Sequence, residues 1–332
     1  MGQRANYVVV EEDGWKLYYS HWAGSTADRD LFWGPEHTLE FVRDQDPTSS
    51  WLDEVWCEGG ALIDTVGKAL LWFGGEDIRG DVARHRLTLA LMRRIWSGWS
   101  VHWAFEGLGA IADYLGVPRD QVRSSPRDPP SQELEHLRVD GDWSSTVVSL
   151  VSAGRLSLHR IASGAHELFE FPPELPAALA SRGGRAALQI SLQGGDLIGG
   201  GAHIDMSARR IDLWEVDYHQ DLQLDAARWP GWQVEHHGDR FESQIERTGG
   251  ALQVEPPSQA AALDDLGKRL LTTSHFDPRK LLARMQEEHD GQEIQVNPHF
   301  LSYAPLELDE EERAKIFARA AAGLPLLPGF AP

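Results

Sequence analysis

The apolar and polar positions of this chain follow one pattern that is used twice. From Gly59 to Phe73 an apolar run ends at Asp64, a polar turn follows through Gly67 and Lys68, and a second apolar run closes the stretch. The same order returns from Gly200 to Trp214, with Asp205 ending the first run and Arg209 standing where Lys68 stands. Gly59–Asp64 and Gly200–Asp205 agree at five of six positions. Short apolar runs bounded by Gly, Asp and polar turn residues predict strand, turn, strand in both places.

The pattern extends outward from these hairpins. Tyr7 to Val10 and Trp15 to Trp22 flank a Glu-Glu-Asp-Gly turn, and Val147 to Leu150 and Arg155 to Ile161 flank Gly154, so both halves open on a hairpin. Pro35-Glu36 and Pro173-Glu174 each begin a helix with proline in its first turn. Leu87, Leu91 and Ile95 recur every fourth residue and predict an amphipathic helix over 81–96. Trp96-Ser97-Gly98-Trp99 is answered by Trp229-Pro230-Gly231-Trp232, and the helices that follow end at Gly116 and Gly249, where a left-handed residue is cheap.

The expected fold is therefore α+β, an internal duplication of a ββ-α-ββ-α-β-α unit that gives two pseudo-symmetric lobes, with a helical C-terminal extension. The first repeat is expected over 1–118 and a Pro- and charge-rich linker over 119–142. The second repeat, with a shortened second helix, is expected over 143–254, and the extension over 255–332. In that extension, helices are expected at Gln259–Leu271, from Pro278 behind an Asp277 cap, and from Glu310 behind an Asp309 cap.

Two copies of one unit permit an internal comparison. One strand face carries Leu62, Leu71 and Phe73 in the first copy but His203, Asp212 and Trp214 in the second, whereas the opposite face is apolar in both. The second copy is also shorter where the first has its long helix. Loss of a covering helix obliges the uncovered face to become polar, so this face is expected to meet solvent.

Composition narrows the function. Acidic residues outnumber basic ones 51 to 31, for a formal charge of −20, which would repel a phosphate backbone and argues against nucleic acid as a partner. A small molecule or a basic protein is the expected partner. One cysteine excludes an internal disulfide and any four-cysteine zinc site. No apolar run reaches the roughly 18 residues of a membrane helix, and the first residues lack the order of a signal peptide, so a cytoplasmic, membrane-free chain is expected. The Gly-rich stretch at 194–201 leads into a strand without a Lys-Ser or Lys-Thr, and does not fit a phosphate loop.

Candidate chemistry follows from residue type. His21, Glu58, His102 and Glu106 are the candidate catalytic groups, because a carboxylate pair buried together can serve as general acid and base. Among the 13 tryptophans, Trp22, Trp56, Trp103 and Trp214 are the candidate binding aromatics. His203, Asp205, Asp217, His219 and His236, with His237 beside them, are the candidate metal ligands, Asp212 orienting an imidazole from behind. The cofactor stays undefined, a divalent metal being the one class these residues suggest. The function expected first is a cytosolic acidic binding protein that holds a small ligand or a basic protein partner in the inter-repeat groove. The alternative is a hydrolase-type, metal-dependent enzyme with its site in one repeat only.

Overall fold

The computed structural model describes residues 3–123, 132–141, 144–192, 198–216, 221–272, 276–288, 295–302 and 304–332. In chain order the first half gives β1 (Ala5–Glu11), β2 (Gly14–Ser20), α1 (Ala27–Asp30), α2 (Pro35–Arg43), β3 (Asp46–Thr48), β4 (Gly59–Asp64), β5 (Ala69–Phe73), α3 (Val82–Ile95), β6 (Ser100–Trp103) and α4 (Leu108–Leu115). The second gives β7 (Thr146–Ser152), β8 (Arg155–Ile161), α5 (Leu175–Arg182), β9 (Leu188–Ser191), β10 (Gly200–Asp205), β11 (Arg210–Glu215), α6 (Leu222–Arg228), β12 (Gln233–His236), α7 (Glu242–Thr248) and β13 (Leu252–Glu255). Three helices follow, α8 (Gln259–Leu271), α9 (Pro278–Glu288) and α10 (Glu310–Ala321). The fold is thus mixed α/β, and no helix among the described residues is long and apolar enough to cross a membrane.

The chain forms two compact units. Unit 1 comprises Met1–Glu76, Thr88–Ser124 and Leu263–Leu324; unit 2 comprises Asp77–Leu87, Ser125–Ala262 and Pro325–Pro332. The sheet of unit 1 has six strands in the order β3-β2-β1-β4-β5-β6, and the main sheet of unit 2 has five in the order β12-β11-β10-β7-β8. Taken from β8 to β12, the second sheet repeats the first from β2 to β6. An antiparallel hairpin joins through a parallel central pair to a second antiparallel hairpin, and a parallel edge strand completes the run.

Local chemistry explains why the central hairpins turn where they do. Asp64 Oδ1 accepts the backbone N–H groups of Val66 and Gly67 at 2.9 and 2.7 Å. Asp205 Oδ1 accepts those of Ser207 and Ala208 at 2.8 and 3.0 Å. Each turn ends on a left-handed residue, Lys68 at φ 54° and Arg209 at φ 49°. The glycine that opens β4 is needed for space, because a Cβ on Gly59 would collide with the Gly24 carbonyl.

Each unit also buries a tryptophan at the same place in its pattern. Trp96 and Trp229 are fully buried, and their indole N–H groups donate to the carbonyls of Leu31 and Phe171 at 3.1 and 3.2 Å. A buried indole needs such an acceptor, so the pair marks two cores built alike. The stretch read as linker is integrated at its described ends. Arg123 pairs with Glu54 at 2.9 Å in unit 1, and Leu137 joins the apolar core of unit 2.

Helices α8 and α10 bring further charge to unit 1. Arg269 of α8 pairs with the buried Asp28 at 2.9 Å. The Asp30 carboxylate accepts the Thr26 hydroxyl at 2.7 Å, but burial, helped by the charge of Asp28, pushes its pKa up to about 7. Asp309 caps α10 by accepting the Glu312 N–H at 2.7 Å, the arrangement its spacing predicts.

Candidate functional site

Unit 1 contains a cleft of about 560 Å³ on the side of its sheet closed by β2 and β3. Its walls come from four separated places in the chain: Arg4 before β1, Tyr19 on β2, the run Asp46–Leu52, and Asn297 with His299. Register explains part of this, because Tyr19 lies directly opposite Asp46. The loop beyond β3 is fastened by the buried Asn6, whose Oδ1 accepts the Leu52 N–H at 2.7 Å while its Nδ2 donates to the Tyr18 carbonyl at 3.1 Å. The far wall is pinned through Phe300, whose carbonyl accepts the Trp22 indole N–H at 2.7 Å, and through Ala304, whose carbonyl accepts the Gln45 amide at 2.9 Å.

Two hydrogen-bonded pairs line or back the cleft. His299 Nδ1 is 2.7 Å from Asp46 Oδ2, and the Ser302 hydroxyl donates to Asp46 Oδ1 at 2.9 Å. The Tyr19 hydroxyl and the buried His21 Nδ1 share a hydrogen bond of 2.7 Å. Burial raises the pKa of Tyr19, with the Arg4 cation opposing, so at neutral pH it is a phenol. The Arg4 guanidinium lies 5.4 Å from the centre of the Trp56 ring, which is 60% exposed. The cleft thus offers one arginine, one carboxylate already engaged, hydroxyls at Thr48 and Ser49, an amide at Asn297 and the indole of Trp51.

Unit 2 carries a different concentration of polar groups. Ser149, His203, Asp212 and Glu235 stand side by side across β7, β10, β11 and β12, each directly opposite the next, and so share one face. In unit 1 the corresponding row is Val8, Leu62, Leu71 and His102. Three of its four members are closed to solvent, Glu235 on the edge strand being exposed. Ser149, His203 and Asp212 are buried, and Trp214 on the same face is fully buried. Helix α7 covers it with a matching polar residue: Gln244 donates to the Ala202 carbonyl at 2.8 Å and to Ser149 Oγ at 3.0 Å, and accepts the Trp214 indole N–H at 2.8 Å. The expectation of a solvent-facing sheet is therefore corrected, the cover being α7 rather than the shortened helix α6.

Serine, histidine and aspartate in a row have the composition of a catalytic triad but not its access. Ser149 Oγ is 2.9 Å from His203 Nδ1, yet it is fully buried and reaches no substrate. Burial also lowers the pKa of His203, with Asp212 opposing. Asp212 is held by others: Arg210 donates through Nε at 3.0 Å and through its terminal nitrogen at 2.7 Å, His237 Nε2 is at 3.0 Å, and Arg247 approaches to 3.5 Å. Burial works to raise the Asp212 pKa, and the hydrogen bonds from Arg210 and His237 outweigh it, so the carboxylate stays charged. Asp212, Glu235 and His237 place ligand atoms within 4.8 Å of one another, the spacing of a cation site. Arg210 bridges the two carboxylates and supplies the charge that a metal would otherwise bring.

No protein-family model, curated protein or solved structure matches this chain. Its function has to be argued from these side chains alone.

The residues singled out from sequence fall into three groups. His21 backs the cleft through Tyr19, and Trp56 reaches it through Arg4. Trp22, Trp103 and Trp214 are buried: Trp22 packs edge-on to Phe300 with ring centres 5.0 Å apart, and Trp103 packs on Trp72 at 4.8 Å. Their indole faces pack within the core and do not line the cleft. Glu106 pairs with Arg119 at 2.9 Å, His102 is exposed on the edge strand, and Glu58 lies partly buried just before β4. These three lie outside the cleft lining.

The metal candidates also separate. Asp205 is committed to its turn, and His203 to Ser149. Asp217 and His219 lie outside the described residues. His236 is partly buried on β12 and does not belong to the Asp212, Glu235 and His237 grouping. That grouping includes Asp212, expected only to orient a ligand from behind. Sequence reasoning missed Arg4, Tyr19, Asp46, Trp51, Asn297 and His299. The one local signal was Asn297-Pro298, the start of a capped turn in which Asn297 Oδ1 accepts the His299 N–H at 2.8 Å and so sets the direction of that imidazole.

Proposed function

We propose that this protein binds a small molecule in the cleft of unit 1. The observation that carries the reading is a concave space of about 560 Å³ whose polar walls are already fixed by Asp46–His299, Tyr19–His21 and Asn6–Leu52 hydrogen bonds. Its size lies in the roughly 300–1,000 Å³ range of ligand pockets. Walls ordered in advance spare a ligand the entropy of ordering them. A fragment screen by ligand-observed NMR and thermal shift tests it on wild type and Trp51→Ala. Hits are expected to raise the melting midpoint of wild type and lose that effect in Trp51→Ala. If every hit behaves alike on the two proteins, the reading fails.

The Asp46–His299 pair favours a second reading, hydrolysis of the bound molecule. With Nδ1 held by Asp46, the other ring nitrogen, which has no hydrogen bond to a described residue, is the one to take a proton from water. Nitrophenyl ester and phosphate turnover that disappears in His299→Ala and drops in Asp46→Asn would support it, and equal rates in all three proteins would remove it.

The matching strand orders and the paired aspartate turns support descent of the two sheets from one duplicated unit, spanning 1–118 and 143–254, with 255–332 as a separate extension. The lone cysteine, a buried thiol, supports a reducing compartment, the cytoplasm.

A further inference from the structure

Acids outnumber bases by 20 in this chain, so an arginine left without an acid is not left so for want of one. Arg43, Arg86, Arg119, Arg123, Arg210 and Arg269 each meet a carboxylate within ion-pair distance. Arg4 meets none among the described residues. Its Nε–H is buried with no acceptor, the hydrogen-bond neighbour of its guanidinium is the neutral Tyr19 rather than a carboxylate, and Arg4 lines the cleft. The single carboxylate in that lining, Asp46, is turned to His299 and Ser302.

We infer that the ligand presents an oxyanion, a carboxylate or a phosphate, to Arg4, and lays a flat apolar body against Trp51. The inference rests on the cleft being a ligand site. A guanidinium fork matches two oxygens of a carboxylate or phosphate, and a partly buried cation that meets no carboxylate among the described residues favours any anion that reaches it. Trp56 braces the guanidinium from its ring face, which keeps the fork in place before the ligand arrives. Thr48, Ser49 and Asn297 supply neutral hydrogen-bond groups for the remaining oxygens, and no second uncommitted carboxylate opposes them.

The test uses phenyl phosphate, benzoate and benzyl alcohol as probes, with affinities from NMR titration of the full chain and of Arg4→Gln, Arg4→Lys and Trp51→Ala. Wild type is expected to bind at least one anion tenfold or more tighter than benzyl alcohol, with the margin shrinking as salt rises; the tighter anion identifies the source of the oxyanion. Arg4→Gln is expected to erase the margin while leaving benzyl alcohol binding as it was, and Arg4→Lys to keep part of it. Matching thermal melts establish that the variants are folded. Equal affinities for the three probes in wild type, or a margin that survives in Arg4→Gln, overturns the inference. If Trp51→Ala still weakens every probe in that case, the cleft remains a ligand site. Absence of binding by all three probes counts against both.

Discussion

Asp64 and Asp205 hold the same turn in two hairpins, each carboxylate accepting the amide hydrogens two and three residues ahead of it. The aspartates differ in what else they meet: Asp64 also accepts the Tyr114 hydroxyl at 2.8 Å, and Asp205 accepts the Ser207 hydroxyl at 2.6 Å. A turn closed by a side chain fixes where two strands reverse, and with it the register on which every facing pair in the sheet depends.

Replacing either aspartate by alanine is expected to cost about 1 kcal/mol in urea unfolding, and replacement by asparagine much less, because the amide oxygen still accepts. Burial works to raise the Asp64 pKa, but hydrogen bonds from Gly67, Tyr114 and Val66 outweigh it; for Asp205 the Ser207 hydroxyl and the Ala208 amide lower it. Both pKa values lie below the unfolded value, so this stability is present above about pH 4 and is lost as pH falls through the folded values. The alanine variants should therefore differ from wild type at pH 7 and approach it in strong acid.

Asp30 works in the opposite direction. With a folded pKa near 7 against 3.8 for a free aspartate, the native state holds its proton longer than the unfolded chain does. Stability is then greatest below the unfolded value and declines as pH rises towards 7. Asp28 and Arg29 on its own helix, Arg313 on α10 and the Thr26 hydroxyl are the groups acting on it, and Arg269 on α8 already answers Asp28. Asp30→Asn is expected to remove the decline, so that its melting midpoint gains on wild type between pH 4 and pH 8. A constant difference across that range would show that Asp30 titrates normally.

Arg210 is expected to keep a cation out of unit 2. Arg210→Ala leaves the buried Asp212 without its forked partner, at an expected cost of about 2 kcal/mol or more. The same change frees Asp212, Glu235 and His237 for a metal. Zinc at tens of micromolar should raise the melting midpoint of Arg210→Ala and leave wild type unmoved. A wild type that is stabilised by zinc to the same extent would show that Arg210 does not guard the position.

Lys68 and Arg209 occupy equivalent left-handed positions but should respond differently to glycine. Arg209→Gly is expected to stabilise by up to about 1 kcal/mol through relief of that conformation. Lys68 also places its ammonium 5.0 Å over the Trp99 ring, a contact worth roughly 0.5–1 kcal/mol, so Lys68→Gly should come out near zero. Thermal melts of the two variants side by side read the difference directly.

The repeated hairpins, the helix ends at Gly116 and Gly249 and the capped helices of the tail were legible because each is encoded within about twenty residues. The cleft was not, because Arg4, Tyr19, Asp46 and His299 share no local pattern and meet only through strand pairing and the return of the tail. The polar row of unit 2 was half legible. His203 and Asp212 stood out against Leu62 and Leu71, but the conclusion that they face water ignored the helix above. Gln244 and Arg247 stand on α7 where α4 has Ile111 and Tyr114, both counted back from the closing glycine, and this matched change in the cover was the available sign that the polar face is enclosed.

One wall of the cleft is lent by a part of the chain that has no counterpart in the other half. Residues 297–302 and Ala304 are tied to β3 and its surroundings by His299, Phe300, Ser302 and Ala304, and through them the last third of the sequence reaches back to the first fifty residues. All six strands lie within 1–124 but the site does not: that stretch lacks the imidazole, the amide and the wall they stand on, so the strand order that the two sheets share does not carry the cleft with it.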